Sequence, residues 1–254
     1  MKIIDLSKTI YFNKKDPKFM RVKLENYPHK KSSLLIRFFL KLPKALYPKN
    51  FEGWADDKIK NMGVHSTTHI DAPWHYAPII NGQRAKSIDE VPLEWLYGDG
   101  LVIDMSHKEN FELITLHAVQ NFLRTNNLEI KPHNIVLIFT GRDKLEGMDI
   151  FDKGVGMSGE ATEWIIDQGV KVMGIDQWGF DLPLRQQVKL AKATNNAELF
   201  WEAHLVGARK EYLHMEQLAN LQALPYTGFK VAVFPLKLKN ASAAPARVVA
   251  IFED

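Results

Sequence analysis

The sequence contains no cysteine, which excludes disulfides, thiolate metal sites and a cysteine nucleophile together. It has no GxxxxGK[ST] phosphate loop and no GxSxG elbow, so neither P-loop nucleotide chemistry nor a serine nucleophile on an α/β-hydrolase frame is expected. Long apolar runs are also missing. The most apolar stretch, Leu34 to Leu42, is broken by Arg37 and Lys41 and is too short to cross a bilayer. The opening Met1-Lys-Ile-Ile-Asp5 carries charge and no signal-type apolar core. These gaps predict a soluble, cytoplasmic protein with no integral membrane segment.

What is present is an ordinary globular composition, with 46% hydrophobic and 25% charged residues over 254 positions. That excludes disorder and fibrous repeats, and it is enough chain for a sizeable core. Charge is uneven: residues 1–60 carry a net +9 and the remainder −6. A basic first quarter can attract anions, although dispersed lysines are ordinarily a solvated face. No nucleic-acid signature accompanies them, so no nucleic-acid partner is expected.

Strands are predicted at Ile3–Ser7, 100–104, 134–140, 170–176, 230–238 and 246–252. Helical periodicity runs over 115–123 and 198–206, and Ser158 caps a helix that ends near Gly169. The alternation implies one mixed α/β domain over 1–254 with a partly closed sheet. Ser32–Leu46 reads as an amphipathic helix whose Leu34, Leu35, Phe38, Phe39 and Leu42 share a face. Residues 30–60 thus form a basic, amphipathic insertion serving as a lid, an oligomer contact or a membrane-surface patch.

One segment concentrates chemistry: His65-Ser-Thr-Thr-His69-Ile-Asp71-Ala-Pro73-Trp-His75 holds three of the nine histidines. Pro73 and the β-branched Thr67, Thr68 and Ile70 argue against a helix. In an extended strand, residues 65, 69, 71 and 75 share parity and one face. Full extension would part His65 from His69 by roughly 13 Å, so the segment must bend to serve one ion. Imidazole and carboxylate suit Zn²⁺ or Mn²⁺, and an aspartate can bridge two ions.

This segment resembles the HxGTHxDxPxH signature of the metal-dependent cyclase family, which includes kynurenine formamidases, isatin hydrolases and polyketide-cyclase-like proteins; Thr67 stands at the glycine position. Ile4-Asp5-Leu6-Ser7, Met157–Ala161, Gly169-Val170, Gly174–Asp176 and Ala203–Leu221 are similar to further family segments. The resemblance implies helices around a small barrel-like sheet, usually in a homodimer or higher homo-oligomer. It implies His65 and His69 as ligands of one ion, Asp71 and Glu216 as bridges, His204 on a second ion, and His75 as general acid/base. His204 precedes Glu216 by twelve residues; on one helix that gap would be about 18 Å, so a bend is required, and Gly207 is a candidate helix end. His214 is either a buried hydrogen-bonded histidine or a substrate contact. Two Zn²⁺ or Mn²⁺ ions per subunit would activate a water and polarise a carbonyl. The expected activity is hydrolysis of an amide-type C–N bond in a small, aromatic, anionic molecule, as in an arylformamidase. Lactone or lactam opening, cyclisation of a polyketide-like compound, and a metal-stabilised binding protein without turnover are the alternatives.

Overall fold

The computed structural model describes residues 1–253. Contacts divide the chain into two compact units, Met1–Thr9 with Val64–Asp254, and Ile10–Gly63. Strand β1 (Lys2–Asp5) opens the larger unit. The smaller one contains β2 (Lys23–Tyr27), helix α1 (His29–Phe39), a 3₁₀ turn at Lys44–Leu46 and β3 (Asp56–Asn61). Strands β2 and β3 pair antiparallel. Helix α1 starts after Pro28 and stops before the left-handed Lys41 (φ 53°) and Pro43, so it is shorter than the 32–46 periodicity predicts. It buries only Ser32 and Ile36. Ser32 Oγ accepts from the Trp54 amide at 2.8 Å. Gly53 makes that approach possible: at φ 111°, a Cβ there would lie 2.3 Å from the His29 carbonyl oxygen.

The larger unit continues with β4 (His69–Asp71), α2 (Pro73–Tyr76), β5 (Ile79–Ile80), β6 (Gln83–Arg84), β7 (Tyr97–Asp104), β8 (Leu113–Ile114) and α3 (Leu116–Thr125). Next come β9 (Ile135–Phe139), α4 (Asp149–Asp152), β10 (Gly156–Met157), α5 (Gly159–Asp167), β11 (Val172–Ile175) and α6 (Leu184–Thr194). β12 (Leu213–Glu216), β13 (Lys230–Pro235) and β14 (Ala243–Phe252) complete it. Strands β7, β9, β11 and β12 run parallel, and β1, β4, β13 and β14 join the same sheet antiparallel. The order β14-β13-β7-β9-β11-β12-β4 returns to β14 through the β14–β4 pairing. The sheet therefore closes as a seven-stranded mixed barrel, with β1 added outside β14.

Alternation along the strands separates two cores. Ile70, Val102, Ile135, Leu137, Val172, Leu213, Met215 and Val248 fill one. Their neighbours Leu101, Ile103, Val136, Ile138, Met173 and Ile175 pack instead with Val119 and Leu123 of α3 and Ala161 and Ile165 of α5. The parallel crossovers carry these helices to the outer face, as parallel strands require. Caps fall where the sequence places them. Ser158 Oγ accepts from Ala161 N at 3.1 Å, and Gly169 takes φ 89° just past α5.

Two local readings change. Residues 198–206 are not one helix but parts of two 3₁₀ turns, Ala197–Leu199 and His204–Ala208. Between them Trp201 sits at φ 63° with its amide on Gln187 Oε1 at 2.8 Å, and Asp181 captures the amides of Ala203 and His204. A helical ladder cannot use amides already bound in this way. Gly207 is not a helix end either: a Cβ there would lie 2.1 Å from the Tyr76 ring, so it serves close packing of this turn on α2. The run Gly154-Val-Gly156-Met-Ser-Gly159 has the GxGxxG spacing of dinucleotide loops, yet its glycines serve packing. A Cβ on Gly156 would lie 2.3 Å from the Leu182 amide nitrogen, and the Gly159 amide is taken by Glu202 Oε2 at 3.0 Å.

Candidate metal centre

Strands β4 and β12 lie side by side, with His214 opposite Asp71, Met215 opposite Ile70 and Glu216 opposite His69. Ile70 and Met215 point into one core. The pleat then turns His69, Asp71, His214 and Glu216 to the other face, all at most 3% exposed. His75 follows on α2, whose first residue is Pro73, a position that suits proline and bends the chain. His65 stands just before β4. His204 opens the 3₁₀ turn that packs on α2, and its Nε2 lies 3.7 Å from Glu216 Oε1. All seven residues singled out by the sequence therefore meet in one place.

Asp71 is the hub. Its Oδ1 lies 2.9 Å from His65 Nδ1 and 3.4 Å from His69 Nε2. Its Oδ2 lies 3.1 Å from His214 Nε2 and 3.8 Å from His75 Nε2. Glu216 Oε1 is 3.4 Å from His214 Nε2, and its Oε2 is 3.8 Å from His69 Nε2. The donor atoms of Asp71, His204, His214 and Glu216 lie within 4.8 Å of one another, and so do those of His65, Asp71 and His75.

The histidines are oriented from behind. His69 Nδ1 donates to the Thr67 carbonyl at 2.6 Å. His204 Nδ1 donates to Asp181, which also accepts the Ala203 amide at 2.7 Å. Tyr212 donates its hydroxyl proton to the Ala203 carbonyl at 3.3 Å, leaving its oxygen to accept from His214 Nδ1 at 3.0 Å. Each bond engages Nδ1 and leaves Nε2 turned toward the carboxylates. Asp181 and Tyr212 were not legible in the sequence: Asp181 lies 23 positions from His204, and neither belongs to a motif.

Electrostatics follow from this packing. Burial pushes the Asp71 carboxyl up, but the imidazoles of His69, His214 and His65 hold it well below the usual range. Burial likewise opposes ionisation of Glu216, and His214 and His69 bring it down to about 2. Against the cost of burial, Asp71 and Glu216 raise His214 to about 9. His75 is lowered to about 4 by burial and by the imidazoles of His65, His204 and His214, with Asp71 opposing.

Nε2 of His69, Nε2 of His214 and both Asp71 oxygens are buried yet make no hydrogen bond. Buried carboxylates and imidazoles facing one another are costly unless a proton or a metal ion lies between them. Imidazole nitrogens and carboxylate oxygens are also the donor set of Zn²⁺ and Mn²⁺. The residues fit a divalent metal ion. Access is from the side of His65 and His75, whose side chains are 28% and 22% exposed. There the Trp201 ring stacks on His204 with centroids 4.4 Å apart and stands edge-on to His75 at 5.3 Å.

Comparison with known proteins agrees with this picture. The family model described as "Putative cyclase" matches residues 4–182. A kynurenine formamidase of Bacillus cereus is 24% identical over 204 residues, covering 80% of this chain and 83% of the relative. One of Paracidovorax citrulli is 26% identical over 188 residues, covering 74% of this chain and 76% of the relative. The solved structure of isatin hydrolase A from Labrenzia aggregata, bound to benzyl benzoate, superposes with a TM-score of 0.73 at 23% identity, covering 100% of this chain and 94% of that one. With the family model spanning well over half its length, this chain belongs to the cyclase family.

Proposed function

We propose that this protein is a metal-dependent hydrolase opening the C–N bond of a small amide-type substrate, an arylformamide or a cyclic amide. The observation that carries this reading is the row of buried, hydrogen-bond-free donors on the β4–β12 face. Its relatives' chemistry supports the bond type: two are kynurenine formamidases, and the isatin hydrolase fold favours lactam opening as the second reading.

His65, His69, Asp71, His204 and Glu216 would hold two Zn²⁺ or Mn²⁺ ions, with Asp71 and Glu216 shared. When bound, such ions polarise a carbonyl and make a water acidic enough to attack it near neutral pH. The chain supplies the rest. Asp71 and Glu216 offset the positive charge, and the Nδ1 bonds keep the imidazole planes in place. His75 stands at the open side, held toward its neutral form by burial and by the imidazoles of His65, His204 and His214. It is placed to take a proton and pass it to the leaving nitrogen. Trp201 and His75 give that side an aromatic wall suited to an aryl group.

Stripping the protein with a chelator, reloading it with Zn²⁺ or Mn²⁺ and offering formanilides, lactams and lactones in parallel tests the reading. Metal-restored turnover of a formanilide or lactam is expected. Turnover of lactones alone would move the assignment to C–O chemistry. A folded, metal-loaded protein inactive on all three classes would sink it.

A further inference from the structure

We propose that His214 is itself a metal ligand, so that one ion is held by His204, His214, Asp71 and Glu216 rather than by His204 and the two carboxylates alone. This rests on the metal-hydrolase reading above and extends its ligand set.

His69-Ile70-Asp71 and His214-Met215-Glu216 are the same His-apolar-acid triplet on two antiparallel neighbours. The register pairs Ile70 with Met215 and sets each histidine opposite the other strand's acid. His69 and His214 are therefore related by the local two-fold of the strand pair. What the pleat does for one nitrogen it does for the other.

The Ala203 carbonyl can only accept, so the Tyr212 hydroxyl proton goes there, and the hydroxyl oxygen takes the proton of His214 Nδ1. That turns Nε2 toward the carboxylates, as the Thr67 carbonyl does for His69. The ring cannot swing away, because Phe180 stacks on it with centroids 4.6 Å apart and 6° between the planes.

A tetrahedral set with bonds of about 2.1 Å has edges of about 3.4 Å. His214 Nε2 lies 3.1 Å from Asp71 Oδ2 and 3.4 Å from Glu216 Oε1, and His204 Nε2 lies 3.7 Å from the same Glu216 oxygen. Nε2 is fully buried against these two carboxylates, at the edge lengths such a set requires.

The test is Zn²⁺ affinity by competition with a chromophoric chelator, for the full-length protein and its His214→Gln and Glu216→Gln variants, with folding checked by circular dichroism. His214→Gln should weaken one Zn²⁺ at least tenfold and leave the other in place. Unchanged affinity in a folded His214→Gln, with Glu216→Gln impaired, overturns the ligand role alone. Unchanged affinity in both folded variants overturns the metal reading as well. Should His214→Gln not fold, a crystal structure of Zn²⁺-loaded wild type decides. Nε2 of His214 at about 2.1 Å from an ion is expected, and an imidazole out of bonding range refutes the proposal.

Discussion

The two units of this chain break the hydrophobic-inside rule in opposite directions. The barrel buries charge: Asp71 and Glu216 are at most 3% exposed among imidazoles. The 10–63 unit exposes grease: Leu34, Leu35, Phe38, Phe39, Leu40, Trp54 and Ile59 are each at least 44% exposed, while Met20, Val22 and Ile36 are its buried large hydrophobics. Both are departures that carry information, since a buried polar cluster and an exposed apolar patch are what ordinary folding does not produce. In the barrel the departure marks chemistry held by a rigid frame. In the smaller unit it leaves an apolar surface facing water.

Removing the charge at the barrel's hub should do the most damage. Asp71→Ala leaves five imidazoles without the carboxylate that four of them approach within 3.8 Å. Metal content measured by elemental analysis should fall to background. Activity should drop by about 10²–10³-fold or more, the scale of losing electrostatic stabilisation at a reacting oxygen. Full metal loading in this variant would refute Asp71 as a shared ligand.

His75→Ala sharpens the same half more finely. His75 sits at the open side rather than among the fully buried donors, so the variant should keep its metal while kcat falls by about 10²–10⁴-fold. Loss of metal together with activity would make His75 a ligand and leave the proton transfer to another group.

Why some of this was readable in the sequence follows from distance along the chain. The 65–75 segment gives its side chains one face by parity, and β4 with the Pro73-led α2 realises that pattern locally. The helix cap at Ser158 and the turn at Gly169 are local too. The β12 half of the site was harder, because a twelve-residue gap from His204 to Glu216 invites a bent helix. The chain instead makes a 3₁₀ turn and a strand, and only the cross-strand register shows His214 and His69 as equivalents. Asp181 and Tyr212 act only through contacts that folding brings together.

For the smaller unit, the exposed stripe on α1 predicts self-association. Phe38 and Phe39 are 76% and 78% exposed, so Phe38→Lys with Phe39→Lys removes apolar contact without opening a cavity. Thermal stability of the isolated chain should barely move. The mass seen by sedimentation should fall from an oligomer to a monomer while metal content stays the same. An unchanged oligomer would release this face from that role, and a wild-type monomer would do so outright.

The smallest effect concerns charge at the surface of the same unit. Glu25 Oε2 lies 2.8 Å from Lys60 Nζ, and Glu25 Oε1 accepts the Tyr27 hydroxyl at 2.6 Å. The bond from Lys60, then that from Tyr27, lowers the Glu25 carboxyl from 4.5 to about 2. A carboxyl depressed by folding contributes stability above its unfolded pKa and loses it as pH falls through the folded one. The contribution is therefore present above about pH 4.5 and gone near pH 2. Since the pair is solvent-exposed, screening keeps it small and salt removes most of it. Lys60→Met should slightly lower hydrogen-exchange protection of the β2–β3 amides at pH 7 and low salt. The difference from wild type should shrink between pH 4.5 and 2, and barrel amides in β9 and β11 should not respond. Equal protection of the β2–β3 amides in the two proteins at pH 7 would show that this ion pair contributes nothing, leaving strand pairing and the small apolar set around Ile36 to hold the unit.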